Sequence, residues 1–138
     1  MIQFIVPGVP VAQPRVKATA FGGHARVYTP KTADAFKASV ALAFQSVYKG
    51  APLDGPVRLE VEFLMPRPKA MIWKSRPMET EPHAKKPDLD NLVKACADSL
   101  LGLAWIDDSQ ICELVATKRI AAGDEQPGVF VEIARYVR

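Results

Sequence analysis

Cysteine is scarce in this chain. Cys96 and Cys112 make no CxxC pair, and no histidine–cysteine cluster stands near either. Structural zinc sites need such clusters, so the pattern argues against zinc and for two reduced thiols in the core. Long apolar runs are also missing. No stretch reaches the roughly 20 residues of a membrane span, and the opening MIQFIVPG is too short, with no basic lead, for a signal peptide. A cytoplasmic protein without membrane contact is expected. Internal repeats and low-complexity tracts are absent as well, which leaves one ordinary domain.

The 138 residues and 15.1 kDa suit a single domain covering 1–138. Hydrophobic residues make up 49% and charged residues 24%, enough for one core without disulfides. The net charge of +3 and pI near 9.0 permit nucleic-acid binding without demonstrating it. The distribution of charge says more. Arg67, Lys69, Lys74, Arg76, Lys85 and Lys86 all precede one acidic motif, either as a solvated loop or as phosphate contacts.

Ile2, Phe4 and Val6 alternate along a short strand closed by Pro7-Gly8. Arg15–Ala20 and Ala25–Tyr28 flank Phe21-Gly22-Gly23-His24 as a hairpin. A helix follows, with Thr29 as cap, Pro30 at its first position and Gly50 at its end. Its apolar stripe is Ala33, Phe36, Val40, Ala43, Phe44 and Val47. Val57, Leu59, Val61 and Phe63 alternate with charged residues in the cleanest strand. Arg67 to Pro87 has no periodicity; its Met71 and Trp73 either pack the segment down or stack on a base. A second helix starts near Asp90 or Asn91 and ends at Gly102, with Leu92, Ala95, Cys96 and Ser99 inward. Strands over 111–120 and 129–136 close the chain. The sum is α+β: a small mixed or antiparallel sheet of about four to six strands packed with two main helices.

The chemistry concentrates in Lys86-Pro87-Asp88-Leu89-Asp90-Asn91-Leu92-Val93-Lys94. If Asp88 to Asp90 is extended, both carboxylates point to one side while Leu89 points inward, and Asp90 or Asn91 caps the helix. Two close carboxylates repel unless a divalent cation lies between them. Asn91, Lys94 and Asp98 share a helix stripe, which sets a cation beside the acidic pair. A second pair, Asp107-Asp108, supplies a third ligand, Asp108 in preference to Asp107. Each of these aspartates also has a bland reading as a helix cap or turn residue.

The string from Lys86 to Lys94, followed by Asp98 and Ile106-Asp107-Asp108-Ser109-Gln110-Ile111, resembles the RusA family of Holliday-junction resolvases. Phe4-x-Val6-Pro7-Gly8-x-Pro10, Pro14-Arg15 and Tyr28-Thr29-Pro30 are similar to it too. The resemblance implies a homodimer that cuts four-way DNA junctions with Mg²⁺, Mn²⁺ being a possible substitute, and no small-molecule cofactor. By position it implies Asp88, Asp90 and Asp108 as metal-binding and catalytic carboxylates, and Lys94 as the motif's catalytic lysine. Arg15, Arg67, Lys69, Lys74, Arg76, Lys85 and Lys86 become the expected DNA contacts. Some relatives carry an arginine run where this chain has His83-Ala84-Lys85-Lys86-Pro87. The residues alone leave two other classes open: a metal-dependent nuclease of other branched or single-stranded nucleic acid, and a non-catalytic nucleic-acid-binding protein.

Overall fold

A computed structural model describes residues 1–138, the side chain of Phe21 excepted. The elements run β1 (Ile2–Pro7), β2 (Lys17–Phe21), β3 (His24–Tyr28), α1 (Asp34–Val47), β4 (Val57–Met65), β5 (Glu81–Pro82), α2 (Leu89–Leu100), β6 (Ile111–Ile120) and β7 (Gly128–Arg135). Five strands form one sheet in the order β1-β7-β4-β6-β5, and β2 and β3 pair separately. β4 and β6 are parallel while the other pairs are antiparallel, so the sheet is mixed and the domain α+β. Parallel neighbours need a crossover, and α2 lies within it.

β4 shows why the sheet has one dry face. Val57, Leu59, Val61, Phe63 and Met65 are buried, while the intervening Arg58, Glu60, Glu62 and Leu64 are half-buried on the other face. Phe36, Val40 and Phe44 of α1 and Leu92, Ala95, Cys96 and Leu100 of α2 cover the dry face. Trp105 is fully buried just beyond α2. Among the described residues no helix is long and apolar enough to cross a membrane.

Several expectations need correction. α1 begins at Asp34, not at Pro30, because a turn closed by Asp34 N–H donating to the Lys31 carbonyl at 3.2 Å intervenes. Thr29 is therefore no cap. The helix ends at Tyr48, whose backbone is extended. Gly50 instead gives Tyr48 room: a Cβ there would lie 2.7 Å from its hydroxyl. Val47 is 52% exposed, outside the buried stripe. Cys96 is buried, which pushes its thiol up to about 12, but Cys112 faces outward. Gly102 does follow α2 with φ 83, as a helix-ending glycine should.

Candidate active site

Asp88 is the N-cap of α2, with φ −68 and ψ 140, and Leu89 is already helical. The extended Asp88–Asp90 arrangement is thus incorrect, and neither Asp90 nor Asn91 is the cap. Asp90 lies in the first turn instead. The Asp88 carboxylate accepts no capping hydrogen bond, so its bland role as a side-chain cap is not filled. Lys94, one turn after Asp90, reaches Asp98 at 3.3 Å rather than Asp90. Two exposed carboxylates therefore sit at the positive end of a helix dipole, which eases their repulsion without cancelling it.

The surroundings of Asp88 are basic and tied down. Arg15, Lys86 and Asn91 share one cavity with it; His83, Lys85 and Lys118 share another. Gln13 N–H donates to the Asn91 carbonyl at 3.0 Å, fastening the segment after β1 to the start of α2. Lys118 Nζ donates to the carbonyls of Lys85 and Pro87, each at 2.6 Å, and so fixes the approach to Asp88. The Lys86–Pro87 peptide bond is cis. Burial, and then the charge of Lys118, hold His83 below its ordinary pKa, so its imidazole is neutral at pH 7. Sequence reasoning missed Lys118. The signal was there: it follows Leu114 and Ala116 at period two, a lone charge in the row that faces α2.

The second acidic pair lies elsewhere. Asp107 caps a short 3₁₀ turn over Asp108–Gln110, its carboxylate accepting from Ser109 N–H at 2.9 Å. That bond holds its pKa below the usual carboxylate range and commits it to the turn. Asp108 accepts from the Trp105 indole N–H at 2.7 Å. Trp105 bridges Leu101, which follows the C-terminal end of α2. Asp88 and Asp90 occupy the opposite end, and twelve helical residues span about 18 Å. Within one chain the three aspartates do not converge. Among the described residues no three His, Cys, Asp or Glu side chains form a metal-holding group.

Of the expected DNA contacts, Arg15, Lys69, Lys74, Arg76, Lys85 and Lys86 are exposed. Arg67 is not: its side chain is 6% exposed and lies near Glu81. Its guanidinium donates to the carbonyls of Met71, Glu79 and Ala121. It also lies 4.8 Å from the Trp73 ring centre, with Arg76 3.6 Å from the same ring. Arg67 is the internal clamp of its loop, and Trp73 is packed by guanidinium groups.

One strand edge is open. β5 covers β6 only at Arg119 and Ile120, and His83 N–H reaches the Lys118 carbonyl. Among the described residues, 111–117 have no strand neighbour on that side. Beside this edge runs an apolar groove of Leu89, Val93, Leu114 and Ala116, with Asp90 and Lys94 on its rim. Leu114 is 49% exposed there.

The family model described as "Endodeoxyribonuclease RusA" matches residues 7–134, nearly the whole chain. A protein of Bacillus subtilis (strain 168), described as "Uncharacterized protein YqaN", is 33% identical over 137 residues, covering 96% of this chain and 94% of that one.

Proposed function

The chain belongs to the RusA family of endodeoxyribonucleases, hydrolases of DNA, and from that premise we propose a cytoplasmic, Mg²⁺-dependent homodimer that resolves four-way junctions by paired nicks during recombination and repair. The observation that carries the reading is the state of Asp88: a carboxylate at a helix N-terminus, without a capping bond, ringed by Arg15, Lys85, Lys86 and Lys118. Carboxylates are the donors that hard dications take. Asp88 and Asp90 supply two, and the remaining question is the third.

A second copy supplies it. An open edge beside an apolar groove is a surface that proteins cover. The open residues 111–117 centre on Leu114. If two copies of β6 pair antiparallel about that centre, residue 111 of each faces 117 of the other. The partner subunit's Asp108, three residues before β6, then arrives at the Lys118 end, where Asp88 and Asp90 stand. The contact is isologous, so two such sites form, related by a two-fold axis. A four-way junction has matching symmetry.

Asp88, Asp90 and the partner subunit's Asp108 would hold the metal. If bound there, Mg²⁺, or Mn²⁺ in its place, would supply an activated water and offset charge on the scissile phosphate. Arg15, Lys85 and Lys86 bind the flanking phosphates. Lys94 leaves Asp98 to stabilise the charge that develops during cleavage. The Trp105 indole N–H holds one Asp108 carboxylate oxygen and would so orient the other towards a metal.

Substitution Asp90→Asn is expected to abolish Mg²⁺-dependent cleavage of a synthetic four-way junction while binding persists. Wild-type cutting by that variant refutes the assignment. Comparing junction, flap and linear duplex at equal salt tests the substrate, because phosphate contacts alone are strongly salt-dependent.

A further inference from the structure

β2 and β3 form a ribbon that the site described above does not explain. They pair only with each other, from Lys17↔Tyr28 to Phe21↔His24. Every residue of β3 is exposed, including Val27 at 67%, and Lys17 to Ala20 of β2 are exposed as well. A lone two-stranded hairpin is marginal in water, so one whose described side chains are all exposed is built to meet something.

Charge identifies what it meets. From Met1 to Ala33 the chain has no Asp or Glu, while Arg15, Lys17, Arg26 and Lys31 all fall there. The register puts Lys17, Thr19, His24, Arg26 and Tyr28 on one face and Ala18, Ala20, Ala25 and Val27 on the other. The first face carries hydrogen-bond donors and cations. The second carries small side chains that allow close approach and offer too little apolar area to hold a protein partner. The tip is narrow because Gly22 and Gly23 take φ of 60 and 80, as a two-residue hairpin turn requires. Five residues extend about 17 Å. Two strands fit the roughly 12 Å major groove of duplex DNA. The root of the ribbon is already at the active site, through the Gln13–Asn91 hydrogen bond and the cavity that Arg15 shares with Asp88.

We infer that the β2–β3 ribbon is a DNA-gripping arm that enters a groove of a duplex arm next to the cleaved phosphate, with Lys17 and Arg26 on the phosphates. This rests on the proposal that the Asp88 end of α2 is where DNA is cut. The test separates the two claims by measuring binding in the Asp90→Asn chain, where cleavage plays no part. Affinity for a synthetic four-way junction is followed across a range of NaCl concentrations, with and without Lys17→Ala and Arg26→Ala together. Each lost phosphate contact lowers the slope of log K against log salt by about 0.9. The pair is therefore expected to reduce it by about 2 per copy, or about 4 for the proposed dimer with both ribbons engaged, with affinity weakened roughly a hundredfold or more at ~0.1 M salt. Lys17→Arg with Arg26→Lys keeps the charges and is expected to keep the slope. An unchanged slope in the alanine pair overturns the inference. So does an equal loss in the charge-keeping pair, which would mark a role in folding. Dissociation of the dimer with an unchanged slope overturns it too, by assigning the ribbon to the second copy.

Discussion

Leu114→Glu is the sharpest single change for the proposed dimer. Leu114 is 49% exposed in one copy and stands at the centre of the open segment of β6. In the proposed antiparallel pair it faces the partner subunit's Leu114. Full burial of a leucine stabilises by about 1.5–3 kcal/mol, so covering the exposed half contributes about 1 kcal/mol per copy, or about 2 for the pair. Glutamate removes that contribution and places two carboxylates across from each other. At an effective dielectric of ~20 their repulsion at 5 Å is about 3 kcal/mol. The sum of about 5 kcal/mol corresponds to a dimer weakened by roughly three orders of magnitude. The isolated chain should tolerate the change within about 1 kcal/mol, because the position is already half open. Sedimentation velocity reads the association, thermal unfolding reads the fold, and a junction assay in Mg²⁺ reads activity. The expected result is a folded, inactive monomer. A Leu114→Glu chain that remains a dimer and still cuts refutes the pairing along β6.

Arg67→Ala removes a nearly buried clamp with three carbonyl partners, so a loss of about 2–4 kcal/mol is expected from urea unfolding, with new proteolytic cuts between residues 68 and 80. Unchanged stability would mean that the loop holds itself. Glu125 is held at about 2, against an ordinary 4.5, by bidentate bonds from Arg119 and then by the Ala122 N–H. A carboxyl depressed on folding stabilises above its unfolded pKa, and that stability is lost as pH falls from 4.5 towards 2. Glu125→Gln should therefore flatten the melting temperature against pH in that window, by a modest amount because the group is partly solvated. An unaltered acid profile contradicts the pairing.

Much of the fold was legible because the sheet is dry on one face. β1 and β4 follow from alternation, the strands over 111–120 and 129–136 are placed between turn signals, and the stripes of α1 and α2 follow from helical spacing. The start of α1 was not legible, since Pro30 suits a helix or a turn equally, and the turn closed between Lys31 and Asp34 is the one that forms. β5, with two residues, has no pattern to read. Arg67 reads as a surface cation until the loop that wraps it is known. At the candidate site, Asp88, Asp90 and Lys94 are singled out by residue type and spacing, and the structure places them at the cap and in the first turns of α2. That Asp108 stays at the far end of α2 is not read from the sequence, because the six residues after Gly102, if extended, span about 20 Å and could reach back along the helix.

The central claim is a site shared between two copies, and mixing two inactive variants tests it directly. Asp90→Asn and Asp108→Asn chains, co-refolded in equal amounts, yield heterodimers as half of the population. In a shared arrangement each heterodimer has one site carrying both substitutions and one fully native site. Roughly a quarter of native sites should then be restored, seen as Mg²⁺-dependent nicking of one strand of a four-way junction where neither variant alone cuts. If all three aspartates served from one chain, every site in the mixture would carry a substitution. A mixture as inactive as its components would contradict the account.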